Sequence, residues 1–146
     1  RVNDLLEADI SEGRFVTAFI GVLDPAAGTI EYVSAGQAPL LLIDSARAEN
    51  RDATGLPLGV MPQATFEVER VTLRAGALFV LLTDGFYEEA APSGELFAVE
   101  RVCDFVQTRA AAPLERLITD LHEAITHYTA HGPQADDLTA VLVRRR

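Results

Sequence analysis

Apolar and polar positions alternate along the chain in rhythms that change several times. At the start, Val2, Leu5, Leu6 and Ile10 recur near helical spacing, which predicts the end of an amphipathic helix over residues 1–10, closed by Gly13. Phe15 to Leu23 is an almost unbroken run of β-formers, the pattern of a strand buried on both faces. Asp24-Pro25 and Gly28 mark a turn, and Thr29 to Ala35 then alternates, so the two segments predict a β-hairpin. Leu40 to Ile43 predicts a short apolar strand, residues 44–54 an irregular polar segment, and Phe66 to Leu73 a half-exposed strand. Leu78 to Leu82 predicts a buried strand that stops at Thr83-Asp84-Gly85, followed by a loop over 86–97.

The period then becomes helical. Val99, Val102, Phe105 and Val106 predict one helix, and Leu114, Leu117, Ile118, Leu121 and Ile125 a second, with Pro113 at its first position and Gly132-Pro133 beyond its end. A last strand is predicted over Leu138 to Val143. Strands first, then two helices, then one strand is the order of an α+β fold with largely antiparallel pairing, not of an alternating βαβ chain.

The 146 residues suit a single domain, and 49% hydrophobic with 23% charged residues is the composition of a folded chain. A formal net charge of -10 disfavours nucleic acid as a partner, because an acidic surface repels phosphate backbones. One cysteine, Cys103, excludes an internal disulfide and fits a reducing compartment such as the cytoplasm. The run Ala75 to Leu82 is too short to span a bilayer. The first residue is Arg1 and the opening pattern is that of a helix tail, so the expectation is the end part of a longer protein.

Candidate chemistry centres on carboxylates at strand ends. Asp84 follows a predicted core strand and precedes Gly85; Asp136 and Asp137 precede the last predicted strand. If those strands are neighbours, the carboxylates converge at one end of a sheet, where hard divalent cations such as Mg²⁺ or Mn²⁺ find the oxygen ligands they prefer. Taken singly, each is also an ordinary turn signal. His122, His127 and His131 fall at the end of the long helix, where histidine is favourable for electrostatic reasons alone. Cys103 reads as inert core, and Glu88-Glu89 as surface charge.

The words around these carboxylates carry a resemblance. Phe15-Val16-Thr17-Ala18-Phe19, Tyr32-Val33-Ser34-Ala35-Gly36 and Gly55-Leu56-Pro57-Leu58-Gly59 occur in order. They are followed by Leu81-Leu82-Thr83-Asp84-Gly85-Phe86-Tyr87-Glu88, Gly94-Glu95-Leu96-Phe97 and Asp136-Asp137-Leu138-Thr139-Ala140-Val141. Together the blocks resemble the SpoIIE branch of the metal-dependent protein serine/threonine phosphatases, the protein phosphatase 2C-like group, over nearly the whole chain. The resemblance implies an αββα sandwich of antiparallel sheets with helices outside. It implies hydrolysis of phosphoserine or phosphothreonine on a protein by a binuclear Mn²⁺ or Mg²⁺ site, water attacking phosphorus in line without a phosphoenzyme. By motif match it implies Asp84 and Asp136 as catalytic metal ligands, Asp137 as a further ligand, and Gly85 as the point where backbone passes close to the metals. The typical partner it implies is a phosphorylated anti-sigma-factor antagonist.

The chain departs from the family pattern at three points. Gln37 stands where Ala-Gly is followed by His, which removes any acid-base role there. Ala98 stands where Gly follows Phe97, read as a small packing change. The Gly-Asp-x-x-Asp and Asp-x-x-Gly-His-Gly blocks that open the family domain are not among these residues. The chain therefore reads as the C-terminal portion of such a domain, holding part of its metal site. Its unpaired sheet edges predict a homodimer that covers them. Two other readings stay open: a non-catalytic regulatory or interaction module on the same fold, and an acidic α+β domain in which Asp84 and Asp136 are only turns.

Overall fold

A computed structural model describes residues 1–10, 13–44 and 46–146. In chain order the elements are α1 (Val2–Asp9), β1 (Ala18–Asp24), β2 (Thr29–Ala35), β3 (Leu40–Ile43), β4 (Ala48–Arg51), β5 (Glu69–Thr72) and β6 (Leu78–Leu82). A 3-10 turn at Asp84–Phe86, α2 (Ala98–Thr108), α3 (Leu114–Tyr128) and β7 (Ala140–Arg144) complete it. The fold is α+β, with one sheet ordered β1-β2-β5 and another ordered β4-β3-β6-β7. Residues Arg1–Ala38 with Arg51–Leu73 form one compact unit, and Pro39–Asn50 with Arg74–Arg146 form the other.

In the first unit the predicted hairpin is present. β1 and β2 pair antiparallel from Ala18↔Ala35 to Asp24↔Thr29. The Asp24 carboxylate closes the turn by accepting the N–H groups of Ala26 and Ala27, each at 3.0 Å. Gly36 is required for a steric reason: its φ is +68°, and a Cβ there would meet Pro57 Cγ at 2.4 Å. The reading of Phe15 to Leu23 as buried on both faces is corrected. β1 is a sheet edge, and Ile20 and Val22 are 73% and 69% exposed. Helix α1 is also held differently from its apolar pattern. Val2 and Leu5 are exposed, while the buried residue is Asn3, which donates to the Met61 carbonyl at 2.9 Å and accepts the Gly59 N–H at 3.1 Å.

Beneath the hairpin, Tyr32 is fully buried and donates its hydroxyl to Glu69 Oε2 at 2.8 Å; Arg51 reaches the same oxygen at 3.1 Å. Phe19 stacks on the Tyr32 ring at 5.3 Å between centroids. Burial first, then the hydrogen bond to Glu69 and its negative charge, push the Tyr32 phenol up to about 12 against the opposing pull of Arg51.

The second unit holds the larger core. Leu41 and Ile43 of β3, with Leu78, Val80 and Leu82 of β6, pack with Val102 and Val106 of α2 and with Leu117, Leu121 and Ile125 of α3. The helical spacing read from the sequence is the spacing of these buried positions. Pro113 precedes α3 as its N-cap, with ψ 143°, instead of occupying the first turn. The end of α3 is turned by Ala130 and His131, whose φ angles are 52° and 60°, ahead of Gly132. β4 was not expected, since its Ala-Glu-Asn-Arg sequence carries no apolar alternation. Cys103 packs against the core, and burial, then the charges of Glu100 and Asp104, push its thiol up, consistent with an unreactive side chain.

The raised phenol of Tyr32 makes a testable statement about pH. The folded chain favours its neutral form, so this contribution to stability is whole below a pH of about 10, the ordinary tyrosine value, and is lost as pH rises toward about 12. Ultraviolet titration of phenolate should show Tyr32 ionising last among the three tyrosines, and Tyr32→Phe should remove that late step.

Candidate functional site

The site is built on the pairing of β6 with β7. Their antiparallel register runs from Leu78↔Arg144 to Leu82↔Ala140, so the end of β6 and the start of β7 lie side by side. The sequence made convergence of the carboxylates conditional on these strands being neighbours, and they are. Beyond that end, Thr83 extends the contact: its N–H donates to the Thr139 carbonyl at 3.0 Å, and its hydroxyl lies 2.9 Å from both the Asp137 carbonyl and the Thr139 N–H. Asp84 then opens the 3-10 turn, with its carbonyl accepting from Tyr87 and Glu88.

Gly85 lies directly against the second acidic segment. A Cβ at Gly85 would come within 2.7 Å of the Asp137 carbonyl oxygen, a separation no side chain tolerates without movement. Asp84 and Asp136–Asp137 are therefore carried on backbone segments in van der Waals contact. All three aspartates are exposed. Asp84 Oδ1 accepts the Gly85 N–H at 3.1 Å, and Asp136 Oδ1 accepts the Asp137 N–H at 2.7 Å. These local bonds orient each carboxylate through one oxygen among the described residues. Burial, followed by the negative charges of Asp84 and Glu88, pushes the Tyr87 phenol up.

The donor set fits part of a hard-cation shell. Mg²⁺ and Mn²⁺ are bound by oxygen, and Mg²⁺ commonly takes one or two protein carboxylates while keeping several waters. Asp84 and Asp136 would supply two such carboxylates. Among the described residues, no three or more His, Cys, Asp or Glu side chains are gathered into a group that could hold a metal ion. His127 and His131 lie with ring centroids 5.0 Å apart and belong to no such group. Gln37 lies in the first unit, where its carbonyl accepts the Ser34 hydroxyl.

Two residues differ from what their sequence context suggested. Glu89, paired with Glu88 as surface charge, is 5% exposed. Its Oε1 accepts the Ala135 N–H at 2.8 Å, one residue before Asp136. Nothing in an adjacent Glu pair distinguishes the buried member; only the turn after Asp84 does so, by directing Glu89 inward. Ala98, read as a small packing change, has φ 68°, the left-handed region that glycine enters freely. A non-glycine residue there costs about 1–2 kcal/mol. The position is fixed by the Ala98 N–H, which donates to the Tyr87 carbonyl at 2.9 Å and ties α2 back to the segment after Asp84.

A family model described as Stage II sporulation protein E (SpoIIE) matches residues 1–146. Among curated proteins, the chain is 30% identical to Protein IcfG of Synechocystis over 98% of its own length and 23% of that protein. It is 24% identical to Phosphoserine phosphatase RsbP of Bacillus subtilis over 97% of its length and 34% of that protein. The chain thus spans about a quarter to a third of these relatives. Among solved structures, the RsbU and RsbW domains of Rv1364c from Mycobacterium tuberculosis superpose with a TM-score of 0.78 at 30% identity. That match covers 98% of this chain and 40% of the other.

The close approach at Gly85 is testable. Gly85→Ala must push the Asp137 carbonyl away, and overpacking of this kind costs about 1–3 kcal/mol. Chemical denaturation should show that loss, accompanied by shifts in the Asp137 and Thr139 amide resonances.

Proposed function

The chain belongs to the SpoIIE family of protein phosphatase 2C-like proteins, and on that footing we propose that it forms part of a metal-dependent protein serine/threonine phosphatase. A general phosphatase-fold role follows from the family; the substrate and the residue roles are this proposal. The observation that carries it is the contact of Gly85 with the Asp137 carbonyl, which holds Asp84 and Asp136 on adjoining backbone at the β6–β7 end.

In this reading Asp84 and Asp136 each offer a carboxylate oxygen to Mn²⁺ or Mg²⁺, and Asp137 adds negative charge and a further oxygen. A bound metal pair would polarise the phosphoryl oxygens and lower the pKa of the attacking water. The rest belongs to the chain. Thr83 and Gly85 set the spacing of the two acidic segments. The N–H groups of Gly85 and Asp137 orient the carboxylates. The substrate is a phosphoserine or phosphothreonine on a small protein of the anti-sigma-factor antagonist type. A relative named as a phosphoserine phosphatase and a solved relative that joins an RsbU domain to an RsbW domain support that choice. The single cysteine, Cys103, supports a reducing compartment such as the cytoplasm for the reaction. Among the described residues, no helix is long and apolar enough to cross a membrane. The exposed β1 edge, with Ile20 and Val22, supports a homodimer when no other segment covers it.

A second reading, a non-catalytic interaction module, is favoured by one observation: three metal-ligating side chains are not gathered among the described residues. Phosphate release from a phosphoserine peptide separates the two. With the longest natural chain that contains these residues, hydrolysis should depend on Mn²⁺ or Mg²⁺. Losing even an outer-shell partner of a metal costs about 10–100-fold, so Asp84→Asn should lower kcat by about 100-fold or more. No hydrolysis by the parent protein with either metal would give the module reading the lead.

A further inference from the structure

The loop that carries Asp136 and Asp137 has almost no regular backbone pairing before β7 begins at Ala140. Its N–H groups are met by side chains instead: Ala135 by Glu89, Asp137 by Asp136, and Thr139 by Thr83. Of the three acceptors, the Glu89 carboxyl is the buried one, at 5% exposure, and it reaches across 46 positions of sequence. Burying a carboxyl is costly unless its oxygens are used, so its retention at this place asks for a role.

One further contact fixes Glu89. Its backbone carbonyl accepts the Phe97 N–H at 2.8 Å, and Phe97 is itself buried in the core beside α2 and α3. The side chain borders a cavity of about 40 Å³ shared with His122, Thr126, Thr129, Gln134 and Leu138. That volume holds about one water and no substrate group, so Glu89 belongs to the support of the loop and not to a binding pocket. Gln134 adds to the support from within, donating to the Asp136 carbonyl at 2.6 Å.

We propose that Glu89 is a positioning residue for the candidate metal site: its buried carboxyl takes the Ala135 N–H and thereby anchors the start of the Asp136–Asp137 segment, whose Asp137 carbonyl lies against Gly85. The inference rests on the phosphatase reading for its purpose, and on the Glu89–Ala135 bond for its mechanism. Glu89 touches neither metal nor substrate. It acts by removing freedom from a loop whose carboxylates must be held in place to bind a cation tightly.

The test compares Glu89→Gln, which keeps an acceptor oxygen at the same reach, with Glu89→Leu, which fills similar space without one. Both are made in the longest natural chain containing these residues, beside Asp84→Asn. Amide hydrogen exchange should show Ala135 exchanging about 10-fold faster in the Leu variant and near the parent rate in the Gln variant. Mn²⁺ affinity, read by calorimetry, should fall about 10–100-fold for Leu and stay near the parent for Gln. A purely structural Glu89 would lower the melting temperature of the Leu variant with its Mn²⁺ affinity unchanged, and that result overturns the proposal. So does a Gln variant as impaired as Leu. If the parent binds no Mn²⁺, the phosphatase reading fails by itself. Ala135 exchange then still decides the clamp: acceleration in Leu alone upholds it, and equal rates in all variants overturn it.

Discussion

The antiparallel pairing of β6 with β7 is the constraint on which the candidate site depends. Asp84 and Asp136 are 52 positions apart in the chain (136 minus 84), and two helices lie between them. Only the register that sets Leu82 opposite Ala140 brings their segments to one sheet end. The helices make that register worth keeping. Val80 and Leu82 are buried against α2 and α3, and a slip of one residue would turn those side chains to the opposite face of the sheet. The hydrophobic core of the second unit thus holds the positions of exposed polar groups that contribute nothing to the core themselves.

Beyond the paired strands, the backbone is held by specific polar contacts. Thr83 bridges to Asp137 and Thr139, Gly85 makes room for the Asp137 carbonyl, and Glu89 holds Ala135. Each comes from the segment following β6 and acts on the segment preceding β7. Local rigidity here has a chemical consequence. On a chain with net charge -10, carboxylates are abundant, and a cation discriminates among them by how well their oxygens are held. In the proposed site, orientation of Asp84 and Asp136 by neighbouring N–H groups would supply part of that discrimination.

Elements that bury a regular stripe were legible in the sequence. Leu117, Leu121 and Ile125 mark α3, and the β1–β2 hairpin follows from Asp24-Pro25 and Gly28 between β-forming runs. What a strand packs against was not legible. Phe15 to Leu23 has the composition of a buried strand, but β1 is an edge, and an edge position is a property of sheet order that hydrophobic composition does not encode. β4 exists through its pairing with β3 and has no pattern of its own. Within the site, Asp84, Gly85 and Asp136 stood out because they punctuate strand ends. Glu89 did not, since a buried Glu beside an exposed one looks like surface charge until the turn between them is known. Ala98 likewise revealed its left-handed backbone only in three dimensions.

The most direct test of the central claim, that the β6–β7 end gathers a cation through both acidic segments, is paramagnetic broadening of amide resonances by substoichiometric Mn²⁺. The account predicts that Gly85, Asp136 and Asp137 broaden together and first, and that Asp84→Asn removes the preference. Broadening spread over the acidic surface with no priority for these residues, or confined to one of the two segments, would contradict it.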